Sequence, residues 1–227
     1  MRPAFAAVLF DCDGVLVDSE IITMGVLREM LHELGWPISE TECVSLFVGR
    51  ALKDQGPLIF DHTGVHTDEA WIAQFRERRD VALSAQVEAI PGIEAALGII
   101  SDVYGKKIAV ASGADRKKIE LQLARTGLDR FFDGRLFSGM EVPKSKPAPD
   151  VYLAAARALG VAPERAVVVE DTVAGVIAGV AAGATVLGYS NGSHASTAPQ
   201  ALRKAGAASV FSNMAELATL VCSEQDA

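Results

Sequence analysis

The sequence predicts an α/β protein: a doubly wound, mostly parallel sheet with an all-helical block inserted after the first strand. Three observations predict it. Short, continuously apolar runs recur along the chain, and such runs suit strands buried on both faces of a parallel sheet. From about residue 90 to 221 they alternate with helical patterns, as right-handed βαβ units require. Between residues 19 and 88 the alternation stops, and helical patterns follow one another without a convincing strand.

The strand candidates are 6–10, 107–112, 135–138, 166–170 and 185–189, with a weaker one at 209–211. The helical candidates between them are 116–126, with Ile119, Leu121 and Leu123 among charges, and 150–159, with Val151, Leu153, Ala154 and Leu159. The stretch 173–182 is small and apolar throughout, which predicts a fully buried helix. In the inserted block, Ile22, Val26, Met30 and Leu34 repeat on one helical face. Ser39 followed by Glu42 has capping-box form and predicts a second helix start. Trp71 and Phe75 lie one turn apart on a later helix. The predicted division is a core of 1–17 and 89–227 and a helical cap of 18–88, with hinges near 16–19 and 86–92.

The chain has 227 residues, half of them hydrophobic, which is enough for a sizeable core. It carries 21 basic and 29 acidic residues, a net charge of −8, which argues against a nucleic-acid or anionic-membrane surface. Cys12, Cys43 and Cys222 form neither a disulfide framework nor a zinc pattern. The N-terminal apolar run meets Asp11 too soon for a signal sequence, and no later run reaches about 18 uninterrupted apolar residues. A cytoplasmic protein, monomer or weak dimer, is expected.

Four segments carry chemistry. The first strand ends in Asp11-Cys12-Asp13-Gly14. Residues i and i+2 of a strand point to one side, so two carboxylates meet where open α/β sheets bind ligands. Burying two like charges calls for a cation or a shared proton, and magnesium prefers such oxygen ligands. The alternative is a strand end with surface aspartates. The second segment is Ser112-Gly113 before a helix, which is either a phosphate cradle or a plain N-cap. The third is the proline-framed loop around Lys146, whose lysine either balances clustered carboxylates or is solvated. The fourth is Glu170-Asp171-Thr172, a second acidic pair, in which Asp171 or Thr172 is also a ready N-cap.

All four segments fall at predicted strand ends or in the loops beyond them. In that order they resemble the haloacid dehalogenase superfamily, in its branch of small-metabolite phosphatases and β-phosphoglucomutase. The likeness lies in AVLFDCDGVLVDSE (7–20), VASG (110–113), SKPAPDVYLAAARALGV (145–161) and VVVEDTVAGVIAGVAAGATVLGY (167–189). It implies a Rossmann-like core with a helical cap. It implies that Asp11 is a nucleophile that becomes phosphorylated, with Asp13 as general acid and base. It implies Mg²⁺ held by Asp11, the backbone carbonyl of Asp13, and Asp171, with Glu170 ligating directly or from behind. Ser112, Gly113 and Lys146 would hold the phosphoryl oxygens, and Lys146 would keep Asp11 ionised. Asp18 matches a frequent family position and reads as a hinge or N-cap.

Departures from the family pattern narrow the reaction. Asp13 argues against dehalogenation and C–P cleavage, since those branches lack the second aspartate. The mutase branch has a cap histidine where this chain has Thr23, which favours hydrolysis of a small phosphate monoester, such as a sugar or sugar-acid phosphate. In the cap, Arg50 and Lys53 match the substrate-recognition stretch in position, and a solvated helix face is the alternative for both. Arg116 and Lys117 are weaker substrate candidates. His32, His62, His66 and His194 have no ligand spacing and read as surface or packing residues. The non-enzymatic alternative is a receiver-like phospho-switch, against which the inserted block and the chain length argue.

Overall fold

The computed structural model describes residues 4–48, 52–192 and 196–223. The chain opens with β1 (Ala7–Phe10) and the short β2 (Val17–Asp18). Four helices follow: α1 (Glu20–Glu33), α2 (Glu40–Phe47), α3 (Gly56–Thr63) and α4 (Glu69–Gln86). After β3 (Glu88–Ala89) and α5 (Ile93–Tyr104), the chain runs through β4 (Ile108–Ser112), α6 (Arg116–Thr126), α7 (Asp129–Phe132) and β5 (Leu136–Ser138). Then come α8 (Asp150–Ala158), β6 (Ala166–Glu170), α9 (Val173–Ala181), β7 (Thr185–Tyr189), α10 (Pro199–Ala205), β8 (Ser209–Phe211) and α11 (Leu217–Cys222).

These elements form two compact units. One comprises residues 1–18 and 88–227, the other residues 19–87. The larger is built on a six-stranded sheet of order β5-β4-β1-β6-β7-β8, parallel at every pairing. From central β1 the chain winds outward to β5, then returns to β6 and winds the other way. That reversal makes β1 and β6 the topological switch point, where sheets of this kind bind ligands. Register across it pairs Phe10 with Val169, which sets Asp11 level with Glu170. β2 and β3 pair separately as an antiparallel ribbon, Val17 with Ala89 and Asp18 with Glu88.

All six sheet strands end at the residue the apolar runs predict, and this matters because their carboxyl ends carry the chemistry. One face of the sheet buries Leu9, Ala109, Ala111 and Val168 against Val151, Tyr152 and Ala155 of α8 and Val176 and Ala178 of α9. Phe10 meets Phe132 edge-on, with ring centroids 5.9 Å apart.

The expectation that 173–182 is buried throughout is wrong. Gly175, Val176, Ala178 and Gly179 are buried, but Val173, Ile177 and Val180 are 39%, 42% and 44% exposed. An α-helix laid on a sheet shows only one stripe to it, whatever its composition. The small residues form that stripe: a Cβ on Gly179 would stand 2.7 Å from Val186 Cγ2, so this glycine lets α9 press onto β7.

The smaller unit holds its own core. Val26, Leu27, Met30 and Leu31 of α1 pack with Ile38, Cys43, Phe47, Ile59 and Phe75. Ser39 caps α2, its hydroxyl accepting from the Glu42 N–H while Glu42 accepts from the Ser39 N–H. Trp71 and Phe75 stack. The histidines pack or bond locally: His62 stacks on Trp36, His66 on Phe60, and His32 Nε2 lies 2.8 Å from the Ile38 carbonyl oxygen. His194 and Arg50 lie outside the described residues, as does the side chain of Lys53.

Candidate active site

Asp11 follows β1 directly, and its N–H is tied to the Val169 carbonyl at 3.0 Å. Its side chain is buried beside Lys146, whose Nζ donates to Asp11 Oδ1 at 2.8 Å and to Glu170 Oε1 at 2.7 Å. Lys146 is therefore no solvated loop lysine: its side chain is 8% exposed and bridges the ends of β1 and β6. Its ammonium also lies 4.8 Å from the ring centre of Tyr152, a cation–π arrangement.

Glu170 is fully buried and accepts five donors. Oε1 takes Lys146 and the Tyr152 hydroxyl, and Oε2 takes the N–H groups of Asp171 and Thr172 and the Thr172 hydroxyl. These donors sit at the start of α9, where the helix dipole also favours an anion. Thr172 takes the N-cap role, its hydroxyl accepting from the Gly175 N–H. Gly175 is required here, since a Cβ would lie 1.6 Å from Glu170 Oε1. Gly175→Ala should displace that carboxylate, release Lys146, and cost about 2–4 kcal/mol in chemical denaturation. A variant as stable as the parent would show that Glu170 can move without loss.

Gly14 does the same for Asp171. With φ at +74° it turns the chain after Asp13, and a Cβ there would stand 2.0 Å from Asp171 Oδ2. Oxygens of Asp11, Glu170 and Asp171 then lie within 4.8 Å of one another.

Asp13 sits further out, its side chain 21% exposed. Its Oδ1 accepts from Lys118 Nζ at 2.7 Å and Gln122 Nε2 at 2.8 Å. Sequence reasoning missed both residues; on this helix it named only Arg116 and Lys117, as weaker substrate candidates. Arg116 is spent on Glu141, at 2.5 Å, and Lys117 faces solvent. The missed signal was a lysine and a glutamine on the buried stripe of α6, beside Ile119 and Leu123. Tyr152, on the buried stripe of α8, was missed as well.

Ser112 ends β4 and is buried, and Gly113 after it is exposed. Ser112 does not cap α6, a role taken by Asp115, whose carboxylate accepts from the Lys118 N–H. The Ser112 hydroxyl instead accepts from the Ala114 N–H at 3.2 Å. The Lys146 loop packs close by: a Cβ on Gly113 would be 3.7 Å from Ser145 Oγ, and one on Gly139 only 2.4 Å. Asp18 lies in β2, and Ser19 stands at the N-cap position of α1.

Among the described residues, four carboxyl groups (Asp11, Asp13, Glu170, Asp171) face two lysines paired with them, so acidic groups outnumber basic ones. Burial lifts the Asp11 carboxyl to about 7. Lys146 opposes this, while the charges of Glu170 and Asp13 add to it. Lys146 alone therefore does not keep Asp11 fully ionised at neutral pH. Burial also works against the charge of Glu170, but Lys146 and the surrounding donors outweigh it and hold that carboxyl below the ordinary range. Burial likewise opposes the Lys146 ammonium, and Asp11 and Glu170 together hold its pKa well above the usual lysine value. A divalent cation beside Asp11 and Asp171 fits both the oxygen donor set and the excess of acidic groups.

Buried carboxylates and a bridging lysine at the switch point of a doubly wound sheet make an α/β candidate active site whose acidic cluster suits a hard cation. A family model described as haloacid dehalogenase-like hydrolase matches residues 5–183. The 6-phosphogluconate phosphatase of Escherichia coli (strain K12) is 32% identical over 182 residues, which cover 79% of this chain and 80% of that protein. A conserved haloacid dehalogenase-like protein of unknown function from Agrobacterium tumefaciens str. C58 superposes with a TM-score of 0.81 at 32% identity, covering 96% of this chain and 97% of that one. A HAD family hydrolase from Deinococcus radiodurans R1, with bound phosphate and sodium, superposes with a TM-score of 0.78 at 35% identity, covering 96% of this chain and 95% of that one. The chain belongs to the haloacid dehalogenase-like hydrolase family, and it is an enzyme of that hydrolase class.

Proposed function

We propose that this chain is a Mg²⁺-dependent phosphatase that transfers the phosphoryl group of a small phosphorylated metabolite, a sugar or sugar-acid phosphate, first to Asp11 and then to water. The observation that carries this reading is the Lys146 bridge from Asp11 to Glu170 at the switch point, with Asp13 held two residues further on. The 6-phosphogluconate phosphatase relative and the phosphate-bound hydrolase support it.

Asp11 attacks phosphorus, the alcohol leaves, and an aspartyl-phosphate forms; one hard displacement thus becomes two easier ones. Asp13 protonates the leaving oxygen and then deprotonates the attacking water. Ser112, the Gly113 N–H and Lys146 hold the phosphoryl oxygens. Asp11 and Asp171, with the Asp13 carbonyl, would hold Mg²⁺, which supplies charge stabilisation for the phosphoryl group. Glu170 is already used by five donors, and its role is to orient Lys146 and the start of α9.

In this reading residues 18–88 are the cap domain, and Arg50 and Lys53 contribute to substrate choice. Thr23, in the place of the mutase branch's histidine, favours release of phosphate to water over return to a sugar. Among the described residues no helix is long and apolar enough to cross a membrane. A cytoplasmic enzyme, monomer or weak dimer, without a nucleic-acid partner, fits this reading.

Phosphate release from a panel of phosphorylated sugars and sugar acids tests it. Chelated protein should be slower by at least about a hundredfold, with Mg²⁺ restoring the rate. Phosphorylation of the protein in stoichiometric amount without turnover would indicate a phospho-switch, and metal-independent turnover would remove the Mg²⁺ assignment.

A further inference from the structure

Lys118 and Gln122 lie one turn apart on α6, both buried among apolar neighbours. Their placement is expensive. The Gln122 amide donates to Asp13 Oδ1, and its own buried carbonyl oxygen has no hydrogen-bond partner among the described residues. An unmet acceptor in a protein interior destabilises the fold, and a methionine of similar length would avoid that cost. Turning the amide over gives no relief, because its oxygen would then face a carboxylate oxygen. Lys118 also lies inside, its side chain 10% exposed, where an aliphatic residue would pack on the stripe with Ile119 and Leu123. Both residues spend burial on the same atom of Asp13.

We propose that Lys118 and Gln122 are positioning residues that hold the Asp13 carboxyl through Oδ1 for its proton exchange with the reacting groups. This rests on the phosphatase reading above. The two donors fix Oδ1, and with it the orientation in which the carboxyl gives up its proton. In the first half-reaction that proton goes to the leaving oxygen as its bond to phosphorus breaks and the Asp11–phosphorus bond forms. In the second half-reaction the Asp13 carboxylate takes a proton from water as the water oxygen bonds to phosphorus and the Asp11–phosphorus bond breaks. The carboxyl ends the cycle as it began.

The test compares Lys118→Met and Gln122→Met with the parent on p-nitrophenyl phosphate and phenyl phosphate, in Mg²⁺. The p-nitrophenolate leaves without needing a proton, and the more basic phenolate needs one. General acid catalysis is worth about a hundredfold or more, so loosening the acid should lower kcat/KM for phenyl phosphate at least about tenfold. The loss for p-nitrophenyl phosphate should stay within about threefold. Gln122→Met should melt at or above the parent temperature, because it removes the unpartnered carbonyl while activity falls. Lys118→Arg should recover part of the phenyl phosphate activity. Equal losses on the two esters, or no loss on either, would overturn the positioning role while leaving the phosphatase reading intact. A parent protein that turns over neither ester nor any member of the metabolite panel would overturn that reading, and this one with it.

Discussion

Asp11→Asn should lower turnover by more than about a thousandfold while making the metal-free protein more stable at pH 7.5. The loss of activity follows from the nucleophile role proposed for Asp11. The gain in stability follows from its environment, since burial beside Glu170 and Asp13 lifts the Asp11 carboxyl from 3.8 to about 7. That gap bounds the cost of ionising Asp11 in the fold at about 4 kcal/mol, part of which Asn would recover, on the order of 1–3 kcal/mol.

The same shift sets a pH dependence. Between about 4 and 7 the folded chain keeps a proton that the unfolded chain releases, so stability falls as pH rises through this window and levels off above it. Glu170 behaves oppositely, but its lowered pKa acts below about 4.5. Chelated parent protein should therefore melt lower at pH 8 than at pH 5.5, Asp11→Asn should show a flatter profile, and added Mg²⁺ should help most at pH 8. A flat profile in the chelated parent would mean that Asp11 ionises at no cost in the fold.

Lys146→Met should be the most destabilising single change at the site. It leaves the Asp11 and Glu170 carboxylates buried without the ammonium that bridges them at 2.8 and 2.7 Å. Removing one partner of such a pair typically costs about 3–5 kcal/mol. The Tyr152 ring contact is lost as well, worth about 0.5–1 kcal/mol. Adding Glu170→Gln should return part of the loss, because it removes one of the stranded charges. Urea denaturation of the two single variants and the double variant measures this coupling. Additive effects would mean that Lys146 and Glu170 do not stabilise one another.

The strand ends were legible because a parallel sheet buried on both faces demands unbroken apolar runs, and acidic or hydroxyl residues stop them abruptly at Asp11, Ser112 and Glu170. Once β1 and β6 are neighbours, those stops converge with no further information. Thr172 or Asp171 as N-cap was an open choice, as was a solvated or buried Lys146. Local pattern cannot decide such questions, because they depend on what stands opposite in space. The helix α9 shows the converse error: its composition reads as buried, yet one stripe faces solvent, since the sheet offers contact on one side only.

The sequence by itself determined the order of the six sheet strands along the chain, the helical character of the inserted block, and the place of Asp11, Asp13, Lys146 and the acidic pair at strand ends or in the loops beyond them, because periodicity and strand-end chemistry are properties of neighbouring residues. Only the tertiary structure decided how the charges are shared. It set Glu170 behind Lys146 with five donors, and it brought Lys118 and Gln122 across more than a hundred residues of chain onto one oxygen of Asp13. Electrostatic pairing acts through space over a few ångströms, and no spacing along the chain encodes that.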